Sequence, residues 1–97
     1  MIDGTKRTIK ITSQFKKDYR AAKKQGRDIE LLFDVISKLA NDELLDEKHR
    51  DHQLKGRLKA YRECHVTPDW LLVYEKYGDD CLILSLVRLA SHSNLGF

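Results

Sequence analysis

Between residues 13 and 40 apolar side chains recur every three to four positions, and after Gly56 they recur every two. The change of period divides the chain into a helical part and a strand part. Ahead of both, "RTIKIT" (7–12) alternates polar residues with Ile9 and Ile11 and predicts a short first strand. Ser13 can cap a helix that places Phe15, Tyr19 and Ala22 on one face, and Gly26 can end it in a left-handed turn. Asp28 can cap a second helix, in which Ile29, Leu32, Phe33, Ile36, Leu39 and Ala40 form an apolar stripe. So short a connection makes the two helices an antiparallel hairpin. Residues 41–56 are polar and turn-rich, with Leu44, Leu45 and Leu54 as expected anchors to the core.

From residue 57 onward, Leu58, Ala60, Cys64 and Val66 fall on one side of a strand and Lys59, Tyr61, Glu63 and His65 on the other. Thr67-Pro68-Asp69 supplies a turn, residues 70–77 the next strand, Gly78-Asp79-Asp80 another turn, and "CLILSLV" (81–87) a strand apolar enough to be buried on both faces. Turns this tight make residues 57–88 an antiparallel meander. The expected fold is α+β, with an N-terminal strand and a helical hairpin on one face of a small, mainly antiparallel sheet. The opposite face is left free to work.

Length and composition narrow the class. Ninety-seven residues, 41% hydrophobic and 34% charged, form one globular domain spanning 1–97 and no second core. No apolar run is long enough to span a bilayer and the first residues lack a secretory hydrophobic segment, so the expected compartment is the cytoplasm. Cys64 and Cys81 occur without metal-ligand spacing and are expected as reduced thiols in the core. Charge is unevenly spread: residues 1–27 carry nine Lys/Arg against Asp3 and Asp18, whereas residues 28–51 carry eight acids against Lys38, Lys48 and Arg50. A polyanion would meet the basic first helix, although most charge runs of this kind only solvate a helix face.

Four histidines remain once the core is assigned. Strand reversal sets the end of the first meander strand beside the start of the second, which gathers His65, Asp69 and Trp70. The last strand runs back toward that same end, so His92 emerges there too. His52 can join them from its loop, though the periodicity does not require it. His49 is read as an ordinary hydrogen-bonded histidine, and no tetrahedral metal set is evident. Singly, each of these residues has a plainer role: Asp69 in the turn, Trp70 in the core, each histidine at the surface. Their convergence, with Arg88 nearby, suits phosphodiester chemistry. A neutral imidazole can take the proton of a ribose 2′-hydroxyl, an imidazolium can protonate the departing 5′-oxygen, a cation can offset charge on phosphorus, and an aromatic ring can stack on a base. Such a reaction needs neither metal nor other cofactor.

The segments "RDHQLKG" (50–56), "YRECHVTPDWLLVYE" (61–75) and "VRLASHSNL" (87–95), with their spacing and the preceding helical hairpin, resemble the YafQ-type branch of the RelE/ParE toxin superfamily. Its members are ribosome-dependent messenger-RNA endoribonucleases of bacterial type II toxin–antitoxin systems. The resemblance implies a RelE-like fold and active-site roles for His52, His65, Asp69 and His92, with His92 as general acid and His52 or His65 as base. It implies substrate contacts for Trp70 and Arg88, and for a terminal phenylalanine four residues after the late histidine. Gly96 stands at that position here, and Phe97 follows one place later. It further implies a cognate antitoxin, and the ribosome with its mRNA, as partners. Two other readings of the same residues are a non-catalytic module that docks RNA or protein, and a degenerate toxin that keeps only antitoxin binding.

Overall fold

The computed structural model describes residues 4–91. In chain order the elements are β1 (Thr8–Ile11), α1 (Ser13–Lys24), α2 (Ile29–Ala40), β2 (His52–Gln53), β3 (Arg62–Thr67), β4 (Trp70–Tyr77) and β5 (Ile83–Ser91). The sheet order is β1-β5-β4-β3-β2; β1 runs parallel to β5 and every other neighbour is antiparallel. The two helices pack on one face of this sheet, so the α+β expectation holds.

Local chemistry sets the helix limits. The Thr12 hydroxyl accepts the Phe15 N–H at 3.0 Å, which makes Thr12 the cap of α1 where Ser13 was expected. Gly26 turns the chain at φ +74°, a conformation that carries no side-chain penalty for glycine. Asp28 then caps α2 by accepting the Leu31 N–H at 3.0 Å. Phe15 and Ala22 of α1 and Leu32, Val35, Ile36 and Leu39 of α2 are buried against Cys64, Val66, Trp70, Leu72, Tyr74, Leu84 and Leu86 of the sheet. Each large apolar side chain in this layer contributes roughly 1.5–3 kcal/mol of burial. Tyr19 stacks between Phe15 and Phe33 and so links the two helices.

A second, smaller apolar cluster lies on the opposite face, where Leu71 and Val73 meet Leu54, Tyr61, Val87 and Ala90. That face therefore has an apolar floor as well as polar residues.

Several expectations are corrected. Leu45 and Leu54 pack as anchors, but Leu44 is 95% exposed, because the chain turns away from the core at Asp42, which has φ +57°. Cys64 is buried whereas Cys81 is exposed in the turn before β5. Gly56–Leu58 forms a single 3-10 turn, so the strand expected from residue 57 begins at Arg62. β2, two residues within the stretch read as turns, was not expected. β5 runs four residues past Val87, since the Arg88 charge does not end it: Asp18 of α1 faces Arg88 Nε at 3.2 Å and accepts the Leu89 N–H at 2.9 Å. Asp18 thereby takes up a backbone donor that β1, ending at Ile11, is too short to reach. No helix among the described residues is long and apolar enough to cross a membrane.

Candidate functional site

Residues paired across a sheet share a face, so register alone assembles the site. His52 pairs with Glu63, and Glu63 with Val73. One row further on, His65 pairs with Leu71, and Leu71 with Ala90. Because Leu71, Val73 and Ala90 belong to the cluster away from the helices, His52, Glu63 and His65 stand on that same open face. Trp70 pairs with Ser91, the residue before His92, so the chain leaves β5 at the end of the sheet where the β3–β4 turn lies. His92 and Phe97 themselves lie outside the described residues.

His52 is held in a defined state. Its Nδ1 lies 2.6 Å from the Arg50 carbonyl oxygen, which can only accept, so Nδ1 carries a hydrogen and in the neutral ring the lone pair is on Nε2. Arg50 presents that carbonyl by adopting a left-handed conformation at φ +46°, uncommon for a residue with a side chain. Nε2 in turn lies 3.5 Å from Glu63 Oε1. A proton gained at Nε2 would therefore be met by a carboxylate whose side chain is only 10% exposed. Glu63 is the member of the site that sequence reasoning missed as a site residue. Alternation along β3 put it on the face of His65, but its burial depends on β2, which was not foreseen.

His65 is placed by the β3–β4 turn. Pro68 cannot take the positive φ that two-residue hairpin loops favour, and neither Pro68 nor Asp69 has positive φ. The mismatch is absorbed by a register shift between His65 and Thr67, an irregularity of the kind that re-aims a side chain. The His65 Nδ1 faces the Pro68 carbonyl at 3.3 Å. Asp69 is exposed at the tip of this turn, next to that contact in sequence.

His49, read as an ordinary hydrogen-bonded histidine, is buried at 5% exposure, with Nδ1 2.6 Å from the His65 carbonyl oxygen. It serves the edge of β3 that β2, beginning at His52, does not reach. Arg88 pairs with Val73 and carries the Asp18 ion pair.

Trp70, for which the resemblance implies a substrate contact, is 2% exposed and sits in the helix-side core, with the Arg27 guanidinium 5.7 Å from its ring centroid. In so small a domain the largest ring goes to the interior, and its open side is already covered. Among the described residues, no group of three His, Cys, Asp or Glu side chains is arranged to hold a metal ion.

The fold and this face define a small α+β protein with two histidines and a largely buried glutamate on an open sheet surface. Comparison with known proteins makes the relationship specific. Residues 7–96 match the family model described as the bacterial toxin of type II toxin–antitoxin system, YafQ. The mRNA interferase toxin YafQ of Escherichia coli K12 is 38% identical over 90 residues, covering 92% of this chain and 95% of that protein. A metal-bound toxin from Helicobacter pylori superposes with TM-score 0.84 at 46% identity, covering 92% of this chain and 98% of that one. YafQ in the E. coli DinJ–YafQ toxin–antitoxin complex superposes with TM-score 0.82 at 33% identity, covering 95% and 99%. The chain belongs to the YafQ family of bacterial type II toxins.

Proposed function

We propose that this protein is an mRNA interferase: an endoribonuclease that cuts translated mRNA in the ribosomal A site and is neutralised by a cognate antitoxin. The observation that carries the reading is His52, its Nδ1 engaged by the Arg50 carbonyl so that Nε2 is the atom presented, on the same open face as His65 and at the sheet end from which the chain continues to His92. The E. coli relative's name, mRNA interferase toxin, and its complex with DinJ support the activity and the partner.

In the proposed reaction an imidazole, His52 or His65, takes the proton of the ribose 2′-hydroxyl as that oxygen attacks phosphorus. For His52 the receiving atom is Nε2, and the Glu63 carboxylate stabilises the imidazolium that results. The bond to the 5′-oxygen breaks, and His92 as general acid protonates the leaving oxygen. The products are a 2′,3′-cyclic phosphate or its 3′-phosphate and a 5′-hydroxyl. Arg88 offsets charge on the phosphoryl oxygens. Asp69, at the tip of the β3–β4 turn, helps orient His65, and Phe97 is assigned to the substrate. Lys16, Lys17, Arg20, Lys23 and Lys24 are exposed along α1 and attract the RNA-rich ribosome.

The test is induced expression followed by primer-extension mapping of transcripts. Wild type cuts within coding regions, and His92→Ala abolishes cutting while the purified variant keeps its circular-dichroism spectrum. Normal cutting by that variant would remove His92 as the acid.

A further inference from the structure

The residue before His52 points to the other side of the sheet. There Asp51 accepts a short hydrogen bond from the Tyr74 hydroxyl, and Arg62 Nε lies 3.2 Å from that hydroxyl and 3.3 Å from the same Asp51 oxygen. Tyr74 is 1% exposed, and Arg62 and Tyr74 are direct partners across β3 and β4. Burial first, and then the bond to Asp51, push the Tyr74 phenol up from its ordinary value, so it remains a donor. Burial works to lower the Arg62 guanidinium, but its bonds to Tyr74 and Asp51 outweigh this and its net shift is upward.

This triad sits where β2 is weakest. With two residues, β2 has only His52 and Gln53 in register with β3. Its approach runs through Arg50, whose left-handed backbone delivers the carbonyl that fixes the His52 tautomer. Asp51 lies between that carbonyl and the ring it fixes. A carboxylate held by two donors from β3 and β4 pins this segment from behind.

We infer that Asp51, Tyr74 and Arg62 are positioning residues for the reaction, a clamp behind the sheet that holds His52 with its Nε2 presented on the open face. The inference rests on the proposal that His52 is an acid–base group in RNA cleavage. None of the three touches the substrate; they act through the backbone of residues 50–52.

The full-length toxin is tested with Tyr74→Phe, which removes one oxygen, and Asp51→Asn, which keeps the shape but weakens both bonds. Ribosome-dependent cleavage of a defined mRNA gives kcat and KM, and ring 15N shifts report the His52 tautomer. Both variants are expected to lower kcat by about tenfold or more, as loss of geometric control does. KM is expected to stay within about twofold, and the His52 signal to move from the Nδ1–H form toward a mixture of tautomers. Unchanged kcat and an unchanged His52 signal in either folded variant would overturn the inference, as would a change confined to KM. Should Tyr74→Phe fail to fold, Asp51→Asn at the partly exposed end decides. His52→Ala separates the two levels: if it cuts normally, the base assignment itself falls. If it is inactive while Tyr74→Phe and Asp51→Asn match wild type, only the clamp falls.

Discussion

Glu63 and His52 face one another across the β2–β3 pair, with Oε1 3.5 Å from Nε2, on the sheet face away from the helices. A carboxylate so placed does little for a neutral ring and much for a protonated one. In the proposed reaction it therefore acts as the proton moves. Glu63→Gln keeps the shape and removes the charge. Its expected effect on cleavage is a fall in kcat of about tenfold or more, the order of one charge-assisted hydrogen bond, with little change in KM. Steady-state cleavage of a defined message on translating ribosomes measures it; a loss confined to KM would contradict the assignment.

His49→Ala tests the support under His65. The substitution removes the ring that lies against the His65 carbonyl and leaves a cavity in a buried site. A loss of about 1–3 kcal/mol of unfolding free energy is expected from the unpaired carbonyl and the void together. Urea denaturation followed by tryptophan fluorescence checks the value.

Trp70→Ala and Trp70→Phe distinguish a core residue from a stacking platform. Since Trp70 is buried in the main core, Trp70→Ala should cost about 3–5 kcal/mol, a large share of the stability of a domain this size, and Trp70→Phe distinctly less. Thermal unfolding measures both. A Trp70→Ala variant as stable as wild type would show that the ring is dispensable to the core.

Acid stability depends on Asp42. Its hydrogen bond from Arg7 at 2.7 Å, and then that from Lys76 at 2.8 Å, hold its carboxyl at about 2, below the ordinary 3.8. A carboxylate with a lowered folded-state value stabilises the protein above its unfolded value, and that contribution is lost as pH falls from about 4 through about 2. Asp42 keeps 26% side-chain exposure, so solvent screening reduces the contribution to about 1 kcal/mol. Denaturation series at pH 6 and pH 2.5 should show a larger stability difference for wild type than for Asp42→Asn.

What could be read before any coordinates follows physical range. Trp70–Tyr77 was legible to the residue, since Pro68-Asp69 and Gly78 bound a continuous strand pattern. The Gly26 turn and the Asp28 cap were legible because glycine's backbone freedom and a carboxylate's reach to the third amide are local properties. β2 was not, because two residues carry no period. Once β2 is missed, the burial of Glu63 and the fixing of His52 by Arg50 are missed with it. The Asp51–Tyr74 bond joins residues 23 positions apart and leaves no mark in either neighbourhood. Trp70 drew a functional reading from its neighbours His65 and Asp69, although its own alternation places it with Leu72 and Tyr74 in the core.

Acid–base cleavage of RNA on the open sheet face leaves its signature in the chemistry of the cut ends. Purified protein is incubated with ribosomes translating a defined mRNA, and the fragments are analysed for end groups. The expected result is 2′,3′-cyclic or 3′-phosphate ends opposite 5′-hydroxyl ends, and intact message with His52→Ala or His92→Ala. Fragments bearing 5′-phosphate and 3′-hydroxyl ends, or message left uncut by wild type, would contradict it.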